Sequence, residues 1–154
     1  MVAHARADHP DEACGIIAGP ADGGVPTRHV PMVNAERSTT FYRFDPTEQL
    51  RLWRQMDDQD EVPAVIYHSH TATEAYPSRT DVSFAGEPDA HYVLISTQDP
   101  HVADVRSFRI VDSQVTEEVI EPYGEVPDRK NGGDPYACQS YKFGHSPDVV
   151  VYDC

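Results

Sequence analysis

Two histidines stand one residue apart at the end of an apolar run in the middle of the chain. His68 and His70 close the run Ala64-Val65-Ile66-Tyr67. Side chains alternate between the two faces of a strand, so both imidazoles are expected to point the same way and to chelate one cation. Asp81, eleven residues after His70, is a potential third ligand. Two histidines and a carboxylate leave the fourth position of a tetrahedral zinc open for water, as in catalytic sites.

The same residues also have simpler explanations. A His-x-His pair in a strand is more often incidental than metal-binding. Ser78, three residues before Asp81, is typical of a helix start, with the serine as N-cap and an acid in the first turn. The capping and ligand roles are compatible, because a helix start fixes the direction of Asp81. The combined spacing therefore favours a metal site more than either part alone.

The pattern along the chain predicts the elements that position these residues. Asp45 and Pro46 predict a helix start, followed by an apolar stripe of Leu50, Trp53 and Met56. Ser78 is expected to begin a short helix that ends near Ala85. The other expected elements are a helix over 1–9, strands over 12–19 and 27–33, the histidine strand over 64–69, a central strand over 91–96, and a hairpin of 105–111 with 114–120. This mixture of strands and helices predicts an α/β (α+β) fold, and the length of the chain suits a single domain.

Composition excludes several classes of partner. The 154 residues carry 12 Lys and Arg against 26 Asp and Glu, so the formal net charge is −14. The electrostatic field of this negative charge repels nucleic acid and anionic membrane surfaces, so we expect no nucleic-acid or membrane partner. The sequence has no apolar run long enough to span a bilayer and no signal peptide, and its three cysteines lack C-x-x-C spacing. These features predict a soluble, cytoplasmic protein without a disulfide framework.

The stretch around the histidines resembles the JAMM (MPN+) metalloprotease signature, an upstream Glu followed by H-[ST]-H-P-x7-S-x2-D. The matching positions are Glu12, the run 68–70, Ser78 and Asp81, with Thr71 in place of the usual proline. The segments H-P-D-E-A-C-G (9–15), N-A-E-R-S (34–38), Y-H-S-H-T-A-T-E-A-Y-P-S-R-T-D (67–81) and D-A-H-Y-V-L (89–94) resemble the actinobacterial Mec branch, where threonine is usual at the position of Thr71.

This resemblance implies a fold, a cofactor and residue roles. The fold is JAMM/MPN-like, a cytidine-deaminase-like mixed sheet flanked by helices, with one Zn²⁺ per chain held by His68, His70 and Asp81. Glu12 takes the place of the general base, and the Ser78 hydroxyl stabilises the developing oxyanion. In the family a strand and a helix start lie upstream, so the 1–120 peptidase domain is expected to lack its first strand.

The resemblance also implies a substrate. Members of the Mec branch remove a C-terminal cysteine from a ubiquitin-like sulfur-carrier protein that ends in Gly-Gly, which completes a route of cysteine biosynthesis. Residues 71–77 form a natural wall for the substrate, with Glu74 and Tyr76 as the expected contacts. Three alternatives stay open: an isopeptidase for other ubiquitin-like proteins, a metal-free MPN binding module, and a purely structural zinc site.

Residues 121–154 differ from the rest in composition. Proline and glycine interrupt every periodic pattern there, and we expect an irregular C-terminal tail. The short apolar run Val149–Tyr152 is expected either to add to a sheet edge or to meet a second subunit, which would make a homodimer.

Overall fold

A six-stranded mixed sheet organises the chain. The computed structural model describes residues 1–122, 139–143 and 150–153. The helices are α1 (Val2–Asp8), α2 (Pro46–Asp58) and α3 (Arg79–Phe84). The strands of the main sheet are β1 (Cys14–Pro20), β2 (Arg28–Met32), β3 (Glu61–His70), β4 (His91–Ser96), β5 (Asp104–Val111) and β6 (Gln114–Glu118). Their order in the sheet is β2-β1-β3-β4-β5-β6.

Only β3 and β4 pair in parallel within this sheet; the other neighbours are antiparallel. The parallel pair requires a crossover connection, which contains α3 and returns the chain to β4. The end of β3 and the start of α3 therefore lie at the same end of the sheet. This is where His70 and Asp81 meet.

Apolar side chains cover both faces of the sheet. On one face α2 packs through the buried Leu52 and Met56 against Ile16, Ile66 and Phe108, among others. On the other face α1 packs through Val2 and Ala5 against Ile17, Val65 and Val93, among others. The expected α+β fold, a mixed sheet flanked by helices, is confirmed.

The expected start of α2 is also confirmed, but its apolar stripe is displaced. The Asp45 carboxylate accepts hydrogen bonds from the backbone of Thr47 and Glu48, at 3.0 and 2.9 Å. Leu50, the first residue of the predicted apolar stripe, is 54% exposed. Successive residues turn by about 100° around a helix, so steps of three drift away from the buried line. Leu52 occupies that line instead.

The C-terminal region is less irregular than predicted. Where the structure describes it, three strands form a separate antiparallel sheet in the order β7-β8-β9: β7 (Ile120–Pro122), β8 (Gln139–Phe143) and β9 (Val150–Asp153). The apolar run near 150 therefore pairs within the chain, with β8, rather than with an edge of the main sheet. The rest of the predicted tail, 123–138, 144–149 and 154, lies outside the described residues.

No helix in the described part of the chain is both long and apolar enough to cross a membrane. Cys14 is a free, buried thiol. The other two cysteines lie outside the described residues.

Candidate metal centre and active site

The last residues of β3 place two imidazoles on one face of the sheet. His68 pairs with Cys14 on one side and with Leu94 on the other, and His70 pairs with Ser96. Both histidines are buried, at 2% and 7% exposure, and their Nε2 atoms are 3.2 Å apart. The alternation expected for a strand therefore brings the two ring nitrogens to one point.

Asp81 reaches the same point from the first turn of α3. The Ser78 hydroxyl accepts a hydrogen bond from the Asp81 backbone N–H at 3.2 Å, and the Ser78 backbone N–H donates to Asp81 Oδ2 at 2.6 Å. This reciprocal capping box fixes the direction of the carboxylate. Asp81 Oδ1 lies 3.4 Å from His68 Nε2, and Oδ2 lies 3.4 Å from His70 Nε2. One ligand atom from each residue falls within 4.8 Å of the others, so the three can hold a metal ion.

Neighbouring groups set the orientation of both imidazole rings. His70 Nδ1–H donates to the Glu74 carbonyl at 2.9 Å, which turns the ring so that Nε2 faces Asp81. The Ser96 hydroxyl in turn donates to the Thr73 carbonyl at 2.6 Å and fixes the segment that carries Glu74. The His68 ring stacks on Tyr42, with 4.3 Å between centroids and 23° between planes.

Glu12 lies beside His68, His70 and Asp81, which are called the metal-ligand group below. Ala13 and Ser69 exchange hydrogen bonds: the Ser69 backbone N–H donates to the Ala13 carbonyl at 2.9 Å, and the Ala13 N–H donates to the Ser69 hydroxyl at 2.8 Å. One residue further, the register brings Glu12 alongside His70. Glu12 is only 5% exposed, and burial raises its pKa to about 7, with Asp81 adding to the shift and His70 opposing it. A carboxyl group with this pKa suits a general base near neutral pH.

Burial and hydrogen bonding shift the pKa values of His68, Asp81 and His70 in different directions. Burial lowers the pKa of His68, which therefore stays neutral as a metal ligand must. Burial would raise the pKa of Asp81, but hydrogen bonds with His68 and His70 outweigh it and keep the carboxylate ionised. Burial would also lower the pKa of His70, but its hydrogen bonds to Asp81 and to the Glu74 carbonyl raise it.

The two serines of the signature have different surroundings. The Ser69 hydroxyl is fully buried and serves the strand pairing with Ala13, as expected for a side chain on the opposite face from the histidines. Ser78 is exposed at the edge of the site, and its hydroxyl oxygen accepts from Asp81. The Ser78 hydroxyl proton is thus not used by the capping bond.

The two expected substrate contacts lie together in residues 71–77, which we call the 71–77 loop. Glu74 is exposed, and Tyr76 is 44% exposed with its ring edge-on to Phe108 at 5.3 Å. The Arg106 guanidinium lies over the Tyr76 ring at 5.4 Å. Both side chains therefore lie against β5, and their contact with a substrate stays a prediction.

Sequence reasoning missed the residues that connect Glu12 to the histidine strand through residues 34–44, here called the 34–44 loop. Asn34 is buried and donates to the carbonyls of Glu12 and Phe41, at 2.9 and 3.1 Å. The Glu12 backbone N–H donates to the Ser38 carbonyl at 2.8 Å. Thr71 donates through its hydroxyl to the Thr39 carbonyl at 2.9 Å. Residues 34–38 resemble the family in sequence, but their structural role could not be inferred from the sequence.

An apolar cavity of about 240 Å³ opens beside Asp81. It lies between the 34–44 loop, α2 and α3. Its aromatic lining is Phe41, Tyr42, Phe44, Trp53, Phe84 and Tyr92. The metal-ligand group is therefore bordered by an aromatic surface on one side and by the 71–77 loop on the other.

Comparisons with known proteins agree with this geometry. The chain is 70% identical over 126 residues to the CysO-cysteine peptidase of Mycobacterium tuberculosis, a match that covers 80% of this chain and 86% of that protein. It is 31% identical over 101 residues to the desampylase of Haloferax volcanii, covering 62% of this chain and 73% of that one. These relatives match the JAMM family expected from the residues.

Solved structures and a family model extend the comparison. A Desulfitobacterium hafniense protein solved in solution superposes with a TM-score of 0.65 at 38% identity, covering 77% of this chain and 82% of that one. A Salinibacter ruber protein superposes with a TM-score of 0.54 at 25% identity, covering 75% of this chain and 80% of that one. The model of the Prok-JAB family matches residues 1–111. The chain therefore belongs to Prok-JAB, the family of prokaryotic homologs of the JAB domain.

Proposed function

We propose that this chain is a zinc peptidase that removes a terminal cysteine from a ubiquitin-like sulfur-carrier protein ending in Gly-Gly, and that it acts in the cytoplasm. The observation that carries the proposal is the convergence of His68, His70 and Asp81 with Glu12 beside them. The high identity to a relative named CysO-cysteine peptidase supports the choice of substrate. Release of cysteine from such a carrier makes the reaction a step of cysteine biosynthesis.

The donor set fits a zinc ion. His68 and His70 offer imidazole nitrogens and Asp81 offers a carboxylate oxygen, which are ordinary zinc ligands. The hydrogen bond from His70 Nδ1 to the Glu74 carbonyl is the kind of outer contact that fixes the tautomer of a metal-binding histidine. Three protein ligands among the described residues favour a catalytic over a structural site, because structural zinc sites use four. When bound, zinc polarises the substrate carbonyl and lowers the pKa of water to about 7.

Glu12 is the proposed proton carrier. Its carboxylate accepts a proton from the attacking water and delivers it to the nitrogen that leaves with the cysteine. Water and the amide thereby give the carrier carboxylate and free cysteine, and no acyl-enzyme is formed. The buried position of Glu12 beside His70 supports this role.

Ser78 is the proposed oxyanion donor. The hydroxyl oxygen is held by the Asp81 backbone N–H, which leaves the hydroxyl proton to donate toward the scissile carbonyl oxygen. One such donor is worth about 3–4 kcal/mol of transition-state stabilisation. Ser78→Ala is expected to lower kcat while zinc binding and the start of α3 are only mildly affected.

The test is zinc-dependent release of cysteine from a carrier that ends in Gly-Gly-Cys, followed by mass spectrometry of the carrier. We expect loss of one cysteine residue, inhibition by a chelator and recovery with added zinc. Glu12→Gln should abolish turnover, and Glu48→Gln, a carboxylate change on α2 away from the site, serves as its matched control. Near-normal hydrolysis by Glu12→Gln would refute the assigned role.

A second candidate substrate follows from the relative named desampylase. On that alternative the enzyme releases a whole ubiquitin-like modifier from a protein amine. The same mass spectrometry separates the two, because loss of one cysteine residue differs from loss of a protein.

A further inference from the structure

The two imidazoles of the metal-ligand group are oriented in different ways. The χ2 angle of a histidine is only loosely restricted, so strand pairing fixes where each ring starts but not how it is turned. His70 Nδ1–H donates to the Glu74 carbonyl at 2.9 Å, and this hydrogen bond turns its ring. The hydrogen bonds and ion pairs of His68 in the described part of the chain all involve Nε2 instead. The orientation of the His68 ring therefore depends on the contacts of its faces.

Tyr42 covers one face of the His68 ring. The two ring centroids are 4.3 Å apart and the planes differ by 23°. The other ring contact of His68 is edge-on, at 5.0 Å and 61°, and it is with His70, a second member of the metal-ligand group. A metal ion lies in the plane of the imidazole that binds it. A ring stacked on the face of His68 therefore restricts the imidazole and leaves Nε2 free for the ion.

Tyr42 is itself held in place within the 34–44 loop. Its ring is edge-on to Phe44, with 5.6 Å between centroids, and Phe44 is buried in the core under α2. The backbone N–H of the next residue, Arg43, donates to Asn34 Oδ1 at 3.3 Å. The Tyr42 ring therefore has support from both packing and the backbone, as a residue that orients another side chain needs.

Tyr42 also lines the apolar cavity of about 240 Å³ beside Asp81. A smaller side chain at this position would extend that cavity toward His68. The imidazole would then have room to turn about χ2, and Nε2 would no longer be held toward Asp81. The packing of one aromatic ring thus replaces, for His68, the hydrogen bond that orients His70.

We propose that Tyr42 is a positioning residue that sets the affinity for zinc by holding the His68 ring in its metal-binding orientation. This inference rests on the proposed function, because it requires the zinc site. The stacked contact needs an aromatic ring at position 42 and does not use the Tyr42 hydroxyl. Phenylalanine is therefore able to replace this tyrosine, whereas leucine is not.

The experiment measures the zinc affinity of the metal-free full chain by competition with a chromophoric chelator. Tyr42→Leu is expected to bind zinc at least about tenfold more weakly than the wild type, because loss of an outer contact to a ligand histidine costs about 10–100-fold in affinity. Tyr42→Phe should bind zinc within about twofold of the wild type, since it keeps the stacked ring. Each variant is measured at a temperature where circular dichroism shows that it is folded.

Tyr92→Leu separates this effect from a general loss of packing. Tyr92 is 5% exposed and lines the same cavity, and its hydroxyl accepts a hydrogen bond from the Glu87 backbone N–H at 2.9 Å. No ring contact joins Tyr92 to His68 within the described residues. The substitution should therefore lower the free energy of unfolding as Tyr42→Leu does, while the zinc affinity stays within about twofold of the wild type.

Nuclear magnetic resonance of the zinc-loaded wild type gives a test that does not depend on the folding of a variant. The ring protons of Tyr42 and His68 should show nuclear Overhauser contacts. The proposal is overturned if these contacts are absent, if folded Tyr42→Leu binds zinc as tightly as the wild type, or if Tyr42→Phe or Tyr92→Leu loses as much affinity as Tyr42→Leu. A wild type that binds no zinc would instead refute the proposed function itself.

Discussion

Replacing Asn34 by alanine should both destabilise the protein and impair the site, because this side chain joins Glu12 to the 34–44 loop. Its amide donates to the carbonyls of Glu12 and Phe41, and its oxygen accepts from the backbone of Glu36 and Arg43, at 3.0 and 3.3 Å. All the hydrogen-bonding capacity of the amide nitrogen is therefore used, and both lone pairs of its oxygen are engaged.

The expected cost follows from which partners lose access to water. The bond to the Glu12 carbonyl is buried, so its loss carries the full penalty of about 1–3 kcal/mol for an unsatisfied group. The other three bonds are partly buried, and water replaces them at a few tenths of a kcal/mol each. The sum is about 2–4 kcal/mol of unfolding free energy.

Urea denaturation of Asn34→Ala measures this cost, with Thr40→Ala in the same exposed loop as the control. The control should change the free energy of unfolding by no more than about 0.5 kcal/mol. At temperatures where Asn34→Ala is still folded, kcat should fall because the Glu12 backbone is no longer fixed. A destabilisation no larger than that of the control, with unchanged kcat, would refute the claim that Asn34 positions Glu12.

Three further predictions concern pH and single hydrogen bonds. Because Glu12 must be ionised to act as a base, kcat/KM should rise with pH to a midpoint at about 7 or below, a bound cation lowering that pKa; a decrease over the same range would contradict the role. Thr71→Val should lower the free energy of unfolding by about 1 kcal/mol through loss of its bond to the 34–44 loop, whereas Thr71→Ser should not; equal losses would contradict the contact. Burial would raise the pKa of Glu118, but its hydrogen bond to His91 at 2.6 Å outweighs burial and lowers it. The folded-state pKa lies below the unfolded value, so the carboxylate stabilises the fold above the unfolded pKa and loses this effect as pH falls through the folded one. Glu118→Gln should therefore cost about 1–3 kcal/mol in thermal or urea unfolding at pH 7, and this cost should shrink as pH falls through the folded-state pKa.

The metal-ligand group could be predicted because its geometry is almost entirely local. Period-two alternation in a strand places His68 and His70 on one face, and a Ser-x-x-Asp helix start aims Asp81. Only one long-range fact was needed, that the crossover after β3 brings the start of α3 back to the end of that strand. Short-range rules therefore account for the convergence of these three side chains, whereas their role as metal ligands was implied by the family resemblance.

The surrounding contacts could not be predicted because they join segments far apart in sequence. Tyr42 stacks on His68, and Thr71 bonds to the Thr39 carbonyl, 32 residues away. Neither contact has a periodic pattern or a spacing rule that marks it. Asn34 likewise looks like an ordinary loop residue until its four partners are seen.

Two errors have separate physical causes. Steps of three residues predict an apolar stripe that includes Leu50, but the helix turn places Leu52 on the buried side instead. The strands after residue 120 were missed because prolines and glycines around them suppress the alternation that identifies a strand.

Zinc content after dialysis is the most direct test of the central claim that His68, His70 and Asp81 hold one ion. We predict one equivalent of zinc per chain in the wild type and in Glu12→Gln. In His68→Ala and Asp81→Ala, shown by circular dichroism to be folded, we predict almost none. Full zinc retention by either of those two variants would contradict the account.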